Sequence, residues 1–198
     1  LANNKYEEFI YNTEATIALV NDSFQPTNTL PKELTLIKVP NAYQSLAQLL
    51  TYYDEVNTLK SGVETPSFIS STAKIGENVY IGPYTVIDAN VEIGDFVYIG
   101  TSCHIGENSC IGKHTKIKSN VSVYDNVLIE NFVIIESGSV IGTDGFGLTF
   151  HNGENHIIPH TGQVIIKNKV WIGANCTIDR GTINNTIIGE GTKMDNLI

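Results

Sequence analysis

Isoleucine recurs at every sixth residue through the middle of the chain, and this spacing restricts the fold more than any other feature. From residue 69 to residue 141 every sixth position holds isoleucine, with the single exception of Val123. Such a spacing fits neither the three- and four-residue steps of a helix nor the alternation of a strand. The residue four places further on is small or branched, as at Ala73 and Thr85. It stands two places before the next isoleucine, so both side chains share one face of a short strand.

Glycine follows many of these isoleucines, where the chain can bend without the hindrance of a Cβ atom. Strands and bends at constant spacing predict a coiled chain, as in a β-solenoid. The inward-facing side chains of successive coils would stack in columns and form one continuous core. The six-residue unit resembles the hexapeptide repeat of left-handed parallel β-helices. This resemblance, and not the periodicity, implies the left hand and a triangular coil of three hexads. The chain would then form about six coils.

The regular repeat ends after Gly142 and resumes at Ile166 with a shift of one residue. The glycine-rich segment between them, residues 143–165, is predicted to leave the solenoid wall as an excursion loop. Long excursions from a rigid scaffold commonly carry functional residues. The solenoid with this excursion is predicted to occupy residues 61–198.

Residues 1–60 lack the repeat and predict a separate small α/β module. Two apolar segments, 13–21 and 34–39, are typical of β-strands. Residues 41–56 predict an amphipathic helix, with Pro40 just before its start. Its apolar side chains recur at three- and four-residue steps, at Leu46, Leu49, Leu50 and Tyr53.

Charge and composition argue against several classes of partner and site. The net charge of −9 disfavours nucleic acid and anionic membranes, which require a basic face. No apolar run approaches the ~18 residues of a membrane span, and the first residues do not resemble a signal peptide. The three cysteines are odd in number and lack a CxxC spacing, which favours free thiols, a reducing compartment and no metal site. Because the chain opens with Leu1 and not methionine, we expect a fragment or a processed form.

Three segments in the C-terminal third carry a more specific resemblance. They are "GTDGFG" (142–147), "IIPHTGQV" (157–164) and "VWIGANCTIDRGTINNTIIGEGTKMDN" (170–196). In order and spacing they resemble the UDP-3-O-acylglucosamine N-acyltransferases of lipid A synthesis. His160 stands where that family commonly has glutamine.

The N-terminus adds a weaker match to the same family. The family's N-terminal module binds uracil through a sequence of the form F-x-x-N-x-x-Y, and Asn3 and Tyr6 fall on its Asn and Tyr. The phenylalanine would precede Leu1. The resemblance covers essentially the whole chain and implies that the chain is truncated at both ends.

The resemblance implies transfer of a 3-hydroxyacyl group to the 2-amino group of UDP-3-O-acylglucosamine. The donor would be the acyl-phosphopantetheine of acyl carrier protein, with no permanently bound cofactor and no metal. The protein would be a homotrimer in the cytoplasm of a Gram-negative bacterium. Stacked outward aromatic side chains at 18-residue spacing, Phe96, His114 and Phe132, also favour a covered face.

The attacking amine must lose a proton, which requires a general base. In this family the base is a histidine a few residues beyond the pair matched by Asp195 and Asn196, and no histidine follows that pair here. The resemblance therefore predicts the general-base histidine just beyond Ile198, places no catalytic base within these residues and gives Asp195 a supporting role. We expect the 198 residues alone to be inactive.

For several other residues, both a functional and a structural interpretation are possible. Asp144 and Phe146 are candidate substrate contacts, but shaping of the loop exit is an equal alternative. Arg180 is interpreted more readily as a tie between coils than as an anion site. The three histidines of the excursion, His151, His156 and His160, are expected to be solvated loop residues.

Two rival functions remain at this stage. An acetyl-CoA-dependent sugar-nucleotide N-acetyltransferase could use the same solenoid, but would lack the uracil module and the DGFG excursion. A non-catalytic β-helical scaffold is the alternative from another class, and its only support is the missing histidine.

Overall fold

The computed structural model describes residues 3–58 and 60–198, which divide into two compact units. The first unit is residues 1–59, and the second is residues 60–198. No helix within these described residues combines the length and the apolar character needed to cross a membrane.

The first unit is a small α/β module. A 3₁₀ turn (Asn4–Tyr6) leads into the short helix α1 (Glu7–Ile10), followed by the strands β1 (Ile17–Asn21) and β2 (Thr35–Val39) and the helix α2 (Ala42–Thr58). The two strands pair in parallel along their full length. Buried Ile10, Val20 and Phe24 form a small core.

Helix α2 is where the sequence predicts it, and its start has a clear cause. The side-chain oxygen of Asn41 accepts a hydrogen bond from the Gln44 amide at 3.0 Å, which caps the first turn. The predicted apolar face is exposed, however, with Leu49 at 55 % and Leu50 at 57 %. A two-stranded sheet offers too little surface to cover a helix of this length.

The second unit is built almost entirely from very short strands. In chain order they are β3 (Gly62–Val63), β4 (Phe68–Ile69), β5 (Lys74–Ile75), β6 (Tyr80–Ile81), β7 (Val86–Ile87), β8 (Glu92–Ile93), β9 (Tyr98–Ile99), β10 (His104–Ile105), β11 (Cys110–Ile111), β12 (Lys116–Ile117), β13 (Ser122–Val123), β14 (Leu128–Ile129), β15 (Ile134–Ile135), β16 (Val140–Asp144), β17 (Leu148–His151), β18 (Glu154–Ile157), β19 (Val164–Ile166), β20 (Trp171–Ile172), β21 (Thr177–Arg180), β22 (Thr186–Ile188) and β23 (Lys193–Met194).

These strands stack into three parallel sheets of six, six and seven strands. Apart from β17 and β18, which pair only with each other, each sheet takes every third strand, as in the order β4-β7-β10-β13-β16-β21, so three strands make one coil. Ile105, for example, lies between Ile87 of one neighbouring coil and Val123 of the other. The architecture is the left-handed parallel β-helix that the hexapeptide resemblance predicts.

The inward columns form one continuous core, as the six-residue spacing predicts. Ile81, Ile99 and Ile117 are fully buried, and so are the threonines and serines of the smaller column. The hydroxyl groups of that column are satisfied by the backbone; Thr85, for example, donates to the carbonyl of Gly100 at 2.8 Å. At the end of the stack Ile75 remains 38 % exposed, because no coil covers it.

The bends between strands place one residue per hexad in the left-handed region of backbone space. Asparagine fills many of these positions, as expected from its tolerance of positive φ. One corner instead stacks Phe96, His114 and Phe132, with ring centroids 5.0 and 4.9 Å apart and nearly parallel planes. The 18-residue spacing of these three side chains therefore does correspond to one stacked column.

The excursion is more ordered than a loop. Strands β17 and β18 form an antiparallel hairpin around Asn152 and Gly153, which both have positive φ. That backbone geometry is typical of a two-residue hairpin turn. All eight residues of the two strands are exposed, so the hairpin is an arm that leaves the wall between β16 and β19.

Candidate functional site

The three segments that carry the specific resemblance converge at the last coils of the solenoid. Strand β16 pairs with β21 across a bulge that follows Ile141, so Thr143 lies opposite Asp179 and Asp144 lies opposite Arg180. Bulges commonly re-aim side chains beside functional sites. Strand β16 runs directly into the TDGFG segment, and β21 carries the TIDRG segment.

Arg180 ties neighbouring coils together. Its Nε donates to the carbonyl oxygen of Gly142 at 2.7 Å, and its Nη2 donates to that of Asp125 at 3.1 Å. The Asp144 carboxylate lies 3.7 Å from the same Nε. The Arg180 side chain is only 15 % exposed, and two of its donors are used by backbone carbonyls, which supports the role as a tie between coils.

Two carboxylates lie at the base of the excursion. Asp179 accepts a hydrogen bond from the Thr143 hydroxyl group. Its other oxygen faces Gly145, where an added Cβ would stand 3.8 Å away. The Asp144 side chain is 60 % exposed. The base of the excursion is therefore acidic towards solvent, although the nearby guanidinium is positive.

The Gly145–Phe146–Gly147 segment forms a tight turn. The Gly147 amide donates to the Gly145 carbonyl at 3.0 Å, which is the hydrogen bond of a γ-turn centred on Phe146. Phe146 is 96 % exposed. The imidazole of His160 packs against both glycines: an added Cβ would lie 3.0 Å from its Nε2 at Gly145 and 2.9 Å from its Cε1 at Gly147.

The chain that returns from the excursion runs along the segment after β21. The Thr161 amide donates to the Thr182 carbonyl at 2.8 Å, and the Gly162 amide donates to the Gly181 carbonyl at 3.0 Å. A Cβ at Gly162 would collide with the carbonyl oxygens of Gly181 and Asn184. Gly162 is thus required by close backbone approach, and the contact fixes where His160 stands.

Asp195 lies in a separate groove of about 490 Å³ on the neighbouring sheet. The groove is also lined by Glu136, Trp171 and Asn196. One carboxylate oxygen of Asp195 accepts a hydrogen bond from the Asn196 amide at 2.8 Å, and the Asn196 side chain accepts one from the Ala174 amide at 2.7 Å. The Asp–Asn pair is therefore held by its own turn and by the preceding coil.

The backbone that follows the Asp–Asn pair stays attached to the solenoid as far as Ile198. The Ile198 carbonyl accepts a hydrogen bond from the Thr177 amide at 2.9 Å, at the start of strand β21. The Ile198 side chain is 61 % exposed. The general-base histidine predicted just beyond Ile198 lies outside the described residues, so its place in the site stays a prediction. A residue that follows Ile198 would begin from a backbone that is fixed one coil away from Asp179.

The predicted uracil contacts lie in the first unit, at its described start. The Asn3 side-chain oxygen accepts a hydrogen bond from the Lys5 amide at 2.9 Å, and the Asn3 carbonyl accepts one from the Tyr6 amide at 3.1 Å. Tyr6 is 59 % exposed, with its ring 6.3 Å from that of Phe9. Asn3 thus starts the first helical turn and presents Tyr6 at the surface.

The histidines offer no metal site. No group of His, Cys, Asp and Glu suited to a metal occurs within residues 3–58 and 60–198. His151 and His156 face each other on the exposed hairpin, as predicted for solvated residues. His160 differs from the prediction: it is half-buried, and its Nδ1 is buried without a hydrogen-bond partner in the described structure.

The sequence-predicted site residues therefore lie in three places: Asn3 and Tyr6 in the first unit, Asp144 and Phe146 at the excursion, and Asp195 in the groove. The packing of His160 against the TDGFG turn was not predicted. Its only sequence signal is that histidine replaces the family's usual glutamine in the IPHTG segment.

Comparison with solved structures agrees with this architecture. The chain is similar to a UDP-N-acetylglucosamine acyltransferase from Arabidopsis, with a TM-score of 0.60 and 22 % identity over 68 % of this chain and 47 % of that chain. A family model described as the GMPPB C-terminal domain matches residues 63–144, within the regular coils. Fold and repeat together define a protein of the hexapeptide-repeat, left-handed β-helix class.

Sequence comparison narrows the class to one family. UDP-3-O-acylglucosamine N-acyltransferases from Christiangramia forsetii and Bacteroides thetaiotaomicron are 49 % and 48 % identical over the whole of this chain. The enzyme of Porphyromonas gingivalis is 46 % identical, also over the whole chain. The chain belongs to this family, and it spans 58 %, 57 % and 56 % of the length of these relatives.

Proposed function

We propose that the protein to which this chain belongs transfers a 3-hydroxyacyl group from acyl carrier protein to the 2-amino group of UDP-3-O-acylglucosamine, in lipid A biosynthesis. The observation that carries this proposal is the meeting of the TDGFG, IPHTG and TIDRG segments at the last coils. These segments resemble the family specifically, and a rigid wall of parallel strands holds them together.

The reaction requires positioning and one proton transfer. The amine nitrogen attacks the thioester carbonyl, a C–N bond forms, the C–S bond breaks, and the phosphopantetheine leaves as a thiol. The amine's proton passes to a general base. Asp195 supports this base by orienting it or by contacting the sugar.

The surroundings of the described histidines give no direct support to a base within these residues. The groove around Asp195 contains none in its lining. His104 pairs with Asp88 at 2.7 Å, His114 lies in the aromatic stack, and His160 is packed against glycines. We therefore propose that a histidine beyond Ile198 supplies the base, and that the 198 residues are inactive alone.

Recognition of the nucleotide is assigned to the first unit. Exposed Tyr6 would stack on uracil, and Asn3 would hydrogen-bond the edge of the base. The surroundings of Tyr6 support this assignment, because the Asn3 turn presents the ring at the surface.

The active assembly is proposed to be a cytoplasmic homotrimer with its sites between subunits. Its support is the column of stacked outward rings, which are half exposed at Phe96 and Phe132. An exposed aromatic column of this kind favours a covered face. A second column, Tyr80 and Tyr98, stacks with centroids 4.9 Å apart but adds no such support, because Tyr80 is only 5 % exposed.

A donor comparison tests the proposed function. The product of the complete reading frame would be incubated with UDP-3-O-acylglucosamine and either a 3-hydroxyacyl carrier protein or acetyl-CoA, and the diacylated product measured by mass spectrometry. We expect product from the carrier protein alone. Product only from acetyl-CoA would favour the N-acetyltransferase alternative, and no product from either donor would favour a scaffold.

An Asp195→Ala variant tests the support of the base. We expect kcat to fall by about 10²-fold, the low end of the ~10²–10⁴ that loss of the general base itself costs, because Asp195 acts through that base. Glu190→Ala is the matched control, because Glu190 is an exposed carboxylate nearby in the sequence. Equal activity of both variants would contradict the role given to Asp195.

A further inference from the structure

Phe146 is more exposed than any other large apolar side chain in the described residues, at 96 %. The exposure is not that of a free loop tip, because the backbone on both sides of Phe146 is hydrogen-bonded. The Gly147 amide bonds the Gly145 carbonyl at 3.0 Å, and the Ile158 amide bonds the Gly147 carbonyl at 2.9 Å. The ring therefore projects from a turn that is fixed on both sides.

The two glycines of this turn are not required by backbone conformation. Neither Gly145 nor Gly147 has the positive φ that favours glycine. What sets them apart is space: an added Cβ would stand 3.0 or 2.9 Å from the His160 ring, so the ring would have to shift from its place. Real Cβ atoms rarely approach so closely, so His160 and the glycine pair form one packed unit.

The Nδ1 atom of His160 is buried without a hydrogen-bond partner in the described structure, which costs folding free energy. Buried polar atoms are nearly always satisfied, and an unsatisfied one needs an explanation. The shape of the ring explains it: a planar side chain fits between the two glycines and holds the turn that carries Phe146.

The surroundings indicate which part of a substrate would meet Phe146. The base of the excursion carries Asp144 and Asp179, and two donors of the nearby Arg180 are used by backbone carbonyls. Carboxylates disfavour a diphosphate or a phosphopantetheine phosphate. On the hairpin, Phe150 is 70 % exposed and Ile157 is 75 % exposed. An apolar chain therefore fits this surface better than an anionic group does.

We propose that His160 is a positioning residue that holds the Gly145–Gly147 turn so that Phe146 contacts an acyl chain of the substrates, either that of the donor or the 3-O-acyl chain of the UDP-sugar. This proposal rests on the proposed function for its substrate. The packing of His160 on the turn does not depend on that function and can be tested separately.

The first test is a double-mutant cycle in the product of the complete reading frame. The KM would be measured for a long-chain 3-hydroxyacyl carrier protein and for UDP-3-O-acylglucosamine. We expect His160→Ala and Phe146→Ala each to raise about ten-fold the KM of the same one substrate, whose chain is then the one that Phe146 contacts, with kcat little changed. The double variant should be no worse than Phe146→Ala, because His160 acts through Phe146. His160→Gln should recover most of the loss.

Independent, multiplying effects in the double variant would overturn the positioning role. Unchanged KM values for both substrates in Phe146→Ala would overturn the acyl-chain contact. Gly189→Ala is the control: a Cβ there meets only the Thr192 hydroxyl, at 3.8 Å, so it should leave KM unchanged.

The second test does not need activity. Hydrogen exchange, measured by mass spectrometry on the 198-residue chain, would follow peptides that contain the Gly147 and Ile158 amides. His160→Ala should speed their exchange about ten-fold or more, and Gly189→Ala should not. Unchanged exchange in His160→Ala would refute the role of His160 in holding the turn. If the complete protein transferred no acyl group while exchange changed as expected, that role of His160 would stand and the proposed function would fail.

Discussion

Truncation of one buried isoleucine should destabilise the solenoid far more than truncation of its counterpart at the open end. Ile105 is fully buried, whereas Ile75 occupies the same place in its hexad and is 38 % exposed. Ile105 is enclosed by Ile87 and Val123 of the adjacent coils, whose backbones are hydrogen-bonded to its own. The walls of a cavity at residue 105 therefore cannot collapse easily.

The expected magnitudes follow from this geometry. Ile→Ala removes three carbon groups, which at ~0.8 kcal/mol each gives a transfer loss of about 2.4 kcal/mol. A cavity that cannot collapse should bring Ile105→Ala to about 3–4 kcal/mol, within the ~2–5 kcal/mol seen for such changes. At Ile75 the partial exposure reduces the transfer loss to about 1.5 kcal/mol, and an open site adds no enclosed cavity.

Urea unfolding of the 198-residue chain measures both values. Trp171, the only tryptophan in the chain, lies in strand β20, so its fluorescence follows the solenoid and not the N-terminal unit. We expect a lower midpoint with an unchanged slope for Ile105→Ala, and a smaller shift for Ile75→Ala. Equal losses at the two positions would refute the assignment of buried and open coils.

Three further outcomes are expected. Lys167 donates a 2.7 Å hydrogen bond to Glu130 and lowers the pKa of that carboxyl below its ordinary value near 4.5. The pair therefore stabilises the folded state above pH 4.5, and this stabilisation is lost as the pH falls through the lowered pKa. Glu130→Gln should therefore lower the urea midpoint near pH 7 but scarcely near pH 2, and a larger loss in acid would contradict this sign. Tyr6→Ala in the complete protein should raise the KM for the UDP-sugar about ten-fold, since stacking on a base is worth ~1–3 kcal/mol, and a fall in kcat alone would give Tyr6 another role. Burial raises the pKa of the Cys103 thiol, so its alkylation at neutral pH should be at least about ten-fold slower in the folded chain than in urea, and equal rates would show that the thiol is accessible.

Much of the solenoid could be predicted because the spacing of its sequence repeat also determines which residues contact one another. A residue 18 places further on lies one coil away, so a pattern read along the chain gives the pairing, the inward columns and even the stacking of Phe96 on His114. The same argument fails at the chain's other elements. Helix α2 was located by its spacing, but its apolar face is exposed, since the spacing says nothing about what surface lies opposite.

The excursion shows a second limit. The sequence located it by the loss of the repeat, and the Asn152–Gly153 pair is typical of a hairpin turn, yet the hairpin was not predicted. His160 was interpreted as a solvated loop residue, and it is in fact packed against Gly145 and Gly147. No spacing rule relates residues that leave a periodic wall and return to it.

The sequence by itself determined the periodic part of this protein, because short strands of fixed length can bury their isoleucines only by stacking coil on coil. It also determined the family, through segments that resemble it in order and spacing. Only the tertiary structure decided how those segments meet. The bulge after Ile141 and the close approach of Gly162 to Gly181 bring residues 143–147, 160 and 179–180 together. Such contacts depend on backbone geometry between distant segments, which one-dimensional patterns do not encode.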